Sequence, residues 1–439
     1  MSDFNLVVDI PNAALWPLKS ADSLCSVISR GTAPIYVEKS EVRAIGQRCV
    51  SAKGFIAEHA RPHSEGAISG VLRPESGDVL LNSTGTGTIG RSAVFDSPGK
   101  FIVDGHVTVL RPLRDSADGR WLNSVLQTPH AQRHLERFCY VGSTNQLELS
   151  RTPLRLSQFP TPSLNEQEMI GSVVDTLDTA IHETEALIAK LKAVKQGLLH
   201  DLLTRGIDAN GELRPPQSEA PHLYKPSPLG LIPNAWNVEP LSRYTASEIT
   251  YGIVQAGPHI PGGVPYIRTG DMSGDSLIRE TMLCTSRRIA NSYMRSKVRA
   301  GEVVMAIRAT VGRVLPVPDD LDGANLTQGT ARISPSIDAD GVFLLWALRH
   351  TRALKAINLE VKGTTFAEIT LNALRRIPLA APLELEEQIE IGRRLNAIDR
   401  SIMFECEILA KRRAQKFGLM NDLLTGRVRV TPLLDATTA

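Results

Sequence analysis

The sequence predicts an α+β protein built twice over, with two tandem globular domains that have mainly antiparallel sheets and two long helices. An internal repeat is the first reason for this prediction. At an offset of 221 residues, positions 166–204 align without a gap on positions 387–425, with 16 identical pairs among 39. The second reason is that short apolar runs broken by Gly and Thr precede both copies, a pattern typical of β-hairpins.

The repeat extends upstream through three further pairs of segments, so the whole chain consists of two related halves. These pairs are RGTAPIY at Arg30 with YGIVQAG at Tyr251, GDVLLNSTGTGTIGR at Gly77 with GEVVMAIRATVGR at Gly301, and GSTNQLEL at Gly142 with GTTFAEIT at Gly363. The predicted segments are a first globular domain (1–163), a first long helix (164–206), a linker rich in Pro, Glu and Ser (207–228), a second globular domain (229–383), a second long helix (384–428) and a tail (429–439).

The composition is that of an ordinary globular protein, with 42% hydrophobic and 22% charged residues. The start, MSDFNLVVDIPN, has no basic segment before its short apolar run, so we expect no signal peptide. No run approaches the roughly 18 unbroken apolar residues of a membrane span. The five scattered cysteines contain no C-x-x-C pair, which indicates a reducing compartment and argues against structural zinc. We therefore expect a cytoplasmic protein that does not associate with a membrane.

The repeated segments are predicted to be helices because their apolar residues recur at a and d spacing, a line that includes Leu187 and Val194 in the first copy. Each helix is expected to span roughly 58 Å, and so long an apolar stripe needs a partner helix. The other copy is the expected partner, although it places the polar residue Arg412 on this face. Two separate core helices remain the alternative. The predicted contact residues are Ile170, Leu177, Ile181, Leu191, Leu198, Ile391, Ile398, Ile402, Leu409 and Leu419.

Each globular domain is predicted to contain a hairpin, at residues 77–95 and 301–317, and to close with a helical stretch, at residues 121–138 and 343–357. The first hairpin contains GTGTIG at residues 85–90, which formally satisfies the G-x-G-x-x-G pattern of dinucleotide-binding folds. Such a site needs a helix to begin there, but the β-like segment RSAVFDSPGK follows. A tight turn is therefore the prediction.

Candidate catalytic groups are few, and each has a simpler interpretation. Pro318-Asp319 with the segment Glu360-Val361-Lys362 resembles the PD…ExK pattern of metal-dependent nucleases, but surface charge is preferred because the first half has no acidic residue at the matching positions. His130 and His134 have the i, i+4 spacing of a metal-binding pair, but exposed helix histidines are preferred. No Walker A loop, H-E-x-x-H motif or amino-methyltransferase motif occurs. We therefore predict neither a catalytic residue nor a metal site.

A basic segment points to nucleic acid as the partner. Residues 279–313 contain eight Arg or Lys and two Glu, in a hairpin context that suits phosphate neutralisation and hydrogen bonding to base edges. A solvated basic face explains the same charges, so the segment alone does not decide between the two. The predicted DNA-binding residues are Lys53, Arg61, Arg73, Thr88, Arg91, Arg268, Arg287, Arg288, Arg308, Thr310 and Arg313.

The repeated helices carry a family resemblance. The segments PTPSLNEQEMIGSVVDTLDTAI and KQGLLHDLLTRG, with their second copies PLELEEQIEIGRRLNAIDRSI and KFGLMNDLLTGRVRV, resemble the two conserved helical regions of type I restriction–modification specificity subunits. YKPSPLGLIPNAWNVEPL at residues 224–241 resembles the start of that family's second target recognition domain. The resemblance covers essentially the whole chain, and its most specific parts are the helix starts with EQ and the helix ends with DLLT.

This resemblance implies a division of labour. Each globular domain would be a target recognition domain for one part of a bipartite site in double-stranded DNA. The helices would pack as an antiparallel coiled coil in a pseudo-twofold molecule and dock two methylation subunits. S-adenosylmethionine, ATP and Mg²⁺ would bind to those subunits and to translocating restriction subunits, with no cofactor and no catalysis on this chain. The rival interpretations are a stand-alone DNA nuclease or methyltransferase and a coiled-coil scaffold that binds no DNA.

Overall fold

The computed structural model describes residues 6–11, 16–51, 53–143, 146–363 and 367–432. Parts of the matched segments at Gly142 and Gly363, and the end of the predicted tail, lie outside this description. The chain divides into two compact units: unit 1 comprises residues 1–186 and 407–439, and unit 2 comprises residues 187–406. These boundaries differ from the predicted domain boundaries because each long helix contributes one end to each unit.

Unit 1 contains short strands and helices over its described residues. The strands are β1 (Leu18–Ser20), β2 (Cys25–Arg30), β3 (Val42–Ile45), β4 (Val50–Ser51), β5 (Gly54–Phe55), β6 (Arg61–Pro62), β7 (Val79–Asn82), β8 (Ser92–Val94), β9 (Lys100–Val103), β10 (Val107–Pro112), β11 (Tyr140–Val141), β12 (Glu148–Leu149) and β13 (Gln158–Pro160). The helices are α1 (Ala21–Leu24), α2 (Gly119–Leu126), α3 (Pro129–His134), α4 (Arg151–Leu156) and the start of α5, the first long helix (Leu164–Leu202).

Unit 2 contains a second set of elements. The strands are β14 (Tyr224–Ser227), β15 (Gly230–Pro233), β16 (Trp236–Pro240), β17 (Thr250–Tyr251), β18 (Val264–Ile267), β19 (Cys284–Thr285), β20 (Val303–Ala306), β21 (Val314–Pro316), β22 (Asn325–Leu326), β23 (Thr330–Ile333) and β24 (Pro378–Pro382). The helices are α6 (Arg287–Ser292), α7 (Gly341–Arg349), α8 (Thr351–Glu360), α9 (Leu371–Arg375) and the start of α10, the second long helix (Leu385–Leu424).

The two larger sheets of each unit have the same topology. Unit 1 has a four-stranded antiparallel sheet in the order β2-β10-β7-β8, and unit 2 has the same sheet as β17-β23-β20-β21. Each unit also has a three-stranded sheet, β6-β3-β9 or β19-β18-β22, in which the last two strands run parallel. The predicted α+β class with mainly antiparallel sheets is confirmed, and both predicted hairpins form, as β7-β8 and β20-β21.

In each unit, a stretch of the first long helix runs antiparallel to a stretch of the second. In unit 1, Lys416 Nζ lies 2.5 Å from Asp178 Oδ1, and Arg412, further back along the second helix, donates to Thr184, further forward along the first. In unit 2, Lys195 pairs with Asp399. Asp178 and Asp399 are equivalent in the repeat, as are Lys195 and Lys416. The repeated Asp and Lys therefore make the same cross-helix ion pair once in each unit.

The buried face of the first long helix is shifted from the predicted line. Ile181 and Ile188 are buried, whereas Leu187 and Val194 are 41% and 49% exposed, so the prediction that these two lie on the contact face is wrong. Thr184 and Lys195 occupy contact positions instead, because each has a polar partner on the second helix. Of the ten predicted contact residues, Ile170, Ile181, Ile391 and Ile402 are buried, Leu177, Leu191, Leu198, Ile398 and Leu409 are half-buried, and Leu419 is exposed.

The start of each long helix is attached to its globular part by an identical joint. The buried side chain of Gln167 accepts a hydrogen bond from Asp118 N and donates to two backbone carbonyls. Gln388 makes the same contacts in unit 2, where it accepts from Asp340 N. One turn later comes Gly171, where an added Cβ would lie 2.8 Å from Asp118 Oδ1. The repeated EQ and Gly thus bring the helix against the N-terminus of α2 or α7.

Candidate nucleic-acid interface

Matching backbone hydrogen bonds build the same edge in both units, where the loops after β3, β7 and β9 meet, or the loops after β18, β20 and β22. In unit 1 these bonds run from Ser83 N to His106 O, from Asp104 N to Ile45 O and from Leu149 N to Ser83 O. In unit 2 they run from Ile307 N to Gly329 O, from Thr327 N to Ile267 O and from Ile369 N to Ile307 O. We call these loops, together with the side chains bonded to them, the unit 1 edge (Tyr36, Gln47, Thr84, Thr88, Asp104 and His106) and the unit 2 edge (Thr269, Arg308, Thr327, Gly329 and Glu368).

Asp104 is the buried acceptor of the unit 1 edge. Its side chain is buried and accepts from His106 N at 2.9 Å and from the Tyr36 hydroxyl at 3.2 Å. Burial and the negative charge of Asp104 both raise the pKa of Tyr36, so the phenol keeps its proton and donates it. The guanidinium of Arg61 lies 3.6 Å from the centre of the Tyr36 ring, a cation–π contact. The edge therefore holds an aromatic ring and a cation in fixed positions.

A chain of polar side chains continues across the unit 1 edge. Gln47 Nε2 lies 2.5 Å from Thr84 Oγ1, which lies 2.8 Å from His106 Nδ1. The predicted residue Thr88 donates to the carbonyls of Thr84 and Gly85, which stabilises the turn that carries Thr84. Because this turn joins β7 to β8, the GTGTIG segment forms the predicted hairpin turn.

The unit 2 edge carries different side chains on the same backbone. Arg308 stands at the position of Thr84, and its Nη2 donates to Glu368 Oε1 at 2.9 Å with both side chains partly exposed. Gly329 stands at the position of His106, and a Cβ added there would lie 3.9 Å from the Cβ of Arg308. Next to the edge, the paired hydrogen bonds from Arg268 to Asp271 raise the pKa of Arg268.

The other predicted residues of unit 1 do not join the edge as one group. Lys53 Nζ lies 2.6 Å from Glu185 Oε2 on the first long helix, and this hydrogen bond lowers the pKa of Glu185. Arg73 and Arg91 are exposed, and the carbonyl of Arg73 accepts from Arg111. Of the predicted residues in this unit, the contacts place Arg61 and Thr88 at the edge.

The predicted residues of unit 2 fall into two kinds. Arg287 and Arg288 are exposed on α6, and within the described residues no acidic side chain pairs with them. Arg313, by contrast, donates to the backbone carbonyls of Met272 and Gly274, so its guanidinium holds the loop of residues 272–275. Thr310 is exposed in the turn between β20 and β21.

Sequence reasoning missed most of the edge residues: Tyr36, Gln47, Thr84, Asp104 and His106 in unit 1, and Thr269, Thr327, Gly329 and Glu368 in unit 2. These residues are distant along the chain and only the sheet pairing brings them together. A signal was present for one position, because the aligned hairpins place Thr84 opposite Arg308. That alignment marked a position at which the two halves differ in chemistry while sharing their turns.

The alternative sites have a structural explanation. The prediction of two exposed histidines is wrong, because His134 is buried and His130 is half-buried. His134 Nε2 lies 2.8 Å from Ser157 Oγ, and burial lowers the pKa of His134. Asp319 and Glu360 are both exposed. Across the described ranges, no group of three or more His, Cys, Asp or Glu is placed to hold a metal ion. The described helices also include none that is long and apolar enough to cross a membrane.

The two units thus share one backbone frame at their edges and differ in the side chains that they carry there. The sequence model of the type I restriction modification DNA specificity domain matches residues 65–193 and 259–411, more than half of the chain. This chain therefore belongs to the type I restriction–modification DNA specificity family. The family resemblance read from the helix sequences is confirmed.

Named relatives and a solved structure agree with this family. The putative type I restriction enzyme MjaX specificity subunit of Methanocaldococcus jannaschii is 26% identical over 366 residues, which cover 81% of this chain and 79% of that protein. The type I restriction enzyme EcoBI specificity subunit of Escherichia coli is 25% identical over 324 residues, covering 67% and 66%. The crystal structure of the type I restriction–modification S subunit from M. genitalium has the same fold, with a TM-score of 0.60 at 14% identity, covering 94% of this chain and 99% of that one.

Membership in this family fixes the role of the chain in outline. It is a specificity subunit of a type I restriction–modification system, a component that selects the DNA sequence and is not itself an enzyme. This membership excludes both alternative interpretations. One was a stand-alone nuclease or methyltransferase, and the other was a scaffold that binds no DNA.

Proposed function

We propose that this chain reads a bipartite DNA site, with the unit 1 edge on one half-site and the unit 2 edge on the other. The observation that supports this proposal most is the pair of matched edges, in which the backbone is the same and the exposed side chains differ. Thr84 and His106 in unit 1 correspond to Arg308 and Gly329 in unit 2. Because base identity is read by side-chain donors and acceptors, the two edges fit two different short sequences.

The partners in this proposal are double-stranded DNA, two methylation subunits and translocating restriction subunits. S-adenosylmethionine, ATP and Mg²⁺ would act on those subunits, and this chain would supply only recognition and docking. The exposed apolar residues Met403 and Phe404, on the unit 2 part of the second long helix, offer a docking surface for another subunit. All five cysteines are free thiols, which agrees with work in the cytoplasm beside the DNA.

Exchange of one recognition domain tests the bipartite proposal. Residues 229–383 are replaced by the second recognition domain of another specificity subunit. We expect one half of the methylated motif to change and the other half to remain. The exchanged chain should still assemble with the same partner subunits. The measurement is methylation-sensitive sequencing of DNA modified by each complex. The reciprocal exchange of residues 1–163 is the matched control and should change the other half. A change in both halves after a single exchange would contradict the proposal.

A second test concerns the exposed arginines of α6. Alanine in place of Arg287 or Arg288 is expected to weaken binding to every DNA sequence alike. The slope of log affinity against log salt concentration should become shallower by about one. The reason is that an exposed, unpaired guanidinium suits a phosphate contact, which carries no sequence information. Arg400→Ala on the second long helix is the matched control, because Arg400 is also exposed. An unchanged salt slope in both variants would show that the arginines of α6 face solvent and do not contact DNA.

A further inference from the structure

Arg308 and Glu368 on the unit 2 edge lie directly opposite each other on two paired segments of backbone. A backbone hydrogen bond flanks the pair on each side, from Ile369 N to Ile307 O and from Ala309 N to Ala367 O. In an antiparallel pair that is flanked in this way, the two side chains lie at their closest. Arg308 Nη2 accordingly donates to Glu368 Oε1 at 2.9 Å. The backbone therefore places a guanidinium and a carboxylate side by side at the edge.

The pair keeps hydrogen-bonding capacity for an external group. Arg308 Nε is buried, whereas Nη1 is not, so the guanidinium turns its outer nitrogens away from the protein. No described residue accepts from Nη1, and Nη2 uses one of its two protons on Glu368. The carboxylate is 44% exposed, and its Oε2 accepts from no described residue. The exposed side of the pair thus offers two N–H donors beside one carboxylate acceptor.

Unit 1 has the same glutamate at the matching position but not the arginine. Glu148 pairs with Thr84 across the backbone in unit 1, as Glu368 pairs with Arg308 in unit 2. The cation that neutralises Glu148 comes from β2, where Arg30 Nη1 lies 3.1 Å from the Glu148 carboxylate. The arginine directly opposite the glutamate is therefore a feature of unit 2 alone, and whatever this pair recognises belongs to the half-site of unit 2.

The sequence donor, donor, acceptor is the complement of one kind of base pair. In the major groove, guanine presents the acceptors N7 and O6, and the cytosine paired with it adds the N4 amino donor. An A·T pair presents an acceptor, a donor and an acceptor, so the second N–H would face a donor and the carboxylate an acceptor. A phosphate is also a poor match, because the carboxylate offsets the guanidinium charge and repels an anion at contact distance.

We propose that Arg308 and Glu368 together read one G·C pair in the half-site of unit 2. The guanidinium donates to guanine N7 and O6, and Glu368 Oε2 accepts from cytosine N4. Each side chain also positions the other through the hydrogen bond that joins them. This inference rests on the proposed function of the unit 2 edge. It requires at least one G·C pair in the second half-site.

The test uses the full chain in complex with its methylation subunits. Methylation rates are measured on a DNA library in which every position of both half-sites is varied, for wild type, Arg308→Lys, Glu368→Gln and the control Glu248→Gln. Glu248 also pairs with an arginine, Arg375, at 2.8 Å, but neither residue belongs to the edge. Arg308→Lys keeps the charge and loses the planar fork, so the preference for G·C at one position of the second half-site is expected to fall on the order of tenfold. Glu368→Gln should relax the same position, and the control should keep the wild-type pattern.

A modified base tests which atom Arg308 contacts. When 7-deazaguanine replaces guanine at that position, the N7 acceptor is lost and the Watson–Crick pair remains. The wild-type complex is expected to methylate this DNA more slowly, on the order of tenfold. Arg308→Ala should methylate the modified and the unmodified DNA at equal rates, because the side chain that reads N7 is already gone.

An unchanged pattern in Arg308→Lys would overturn the inference, as would an equal loss on all sequences, which indicates a phosphate contact. Relaxation in the first half-site, or at a position occupied by an A·T pair, would also overturn it. Thermal unfolding of each variant is compared with wild type, and Arg308→Lys, which can still pair with Glu368, carries the test if Arg308→Ala does not fold. Failure of the proposed function is distinguishable, because the wild-type complex would then show no bipartite motif at all.

Discussion

Glu387→Ala is expected to lower the free energy of unfolding of unit 2 by about 3–5 kcal/mol, the usual cost of leaving a buried charge without its partner. The Glu387 carboxylate accepts from Arg214 at 2.5 and 2.9 Å, from Trp236 Nε1 at 2.9 Å and from Ile207 N at 3.1 Å. The side chains of the ion pair are only 13% and 10% exposed, so water does not replace the lost partner. Removing the carboxylate takes this acceptor away from Arg214, from Trp236 Nε1 and from Ile207 N.

The neighbouring residue supplies the control for this experiment. Glu386 lies in the same first turn of the second long helix but is exposed, so Glu386→Ala is expected to change stability by no more than about 0.5 kcal/mol. Glu387→Gln keeps a carbonyl oxygen for Trp236 and should fall between the two. The measurement is unfolding in urea, monitored by the hydrogen exchange of the β20 and β23 amides. Equal effects of the two alanine variants would show that the buried ion pair does not stabilise unit 2.

The same joint shows what the repeat could and could not predict. The alignment of Glu166 with Glu387 was visible in the sequence, and the structure explains it, since Arg429 donates to Glu166 at 2.8 Å as Arg214 does to Glu387. The identity of the two arginines was not predictable. Arg214 and Arg429 follow the ends of the two long helices, at positions that do not align in the repeat, and only the folded chain brings them to the glutamates.

The fold was predictable where its signals are local, whereas the edges were predictable only in part, through Arg61, Thr88 and Arg308. Apolar period and Gly-Thr turns predicted the long helices and the hairpins, which the structure confirms. The misplacement of Leu187 and Val194 has a definite cause. Apolar spacing cannot reveal that Lys195 is a contact residue, because its partner Asp399 is 204 positions away. The edge depends on such distant pairings throughout, as the bond between Gln47 and Thr84 illustrates.

The repeated DLLT helix ends stabilise the core of the unit in which each long helix ends. Leu203, at the end of the first long helix, is buried in the core of unit 2 with Trp236 and Phe343. Leu424, at the end of the second long helix, is buried in the core of unit 1 with Trp121. Each helix therefore begins against one globular part and places its last leucines in the core of the other unit.

Leu203→Ala is accordingly expected to destabilise unit 2, and Leu424→Ala to destabilise unit 1, each by about 2–5 kcal/mol from lost apolar contacts and the cavity that remains. Hydrogen exchange should speed up in β20 for the first variant and in β7 for the second. Leu187→Ala is the matched control on the first long helix and should change stability by no more than about 0.5 kcal/mol, because Leu187 is 41% exposed. If Leu203→Ala instead loosened β7 and spared β20, the helix end would not be part of the unit 2 core, and its repetition would need another explanation.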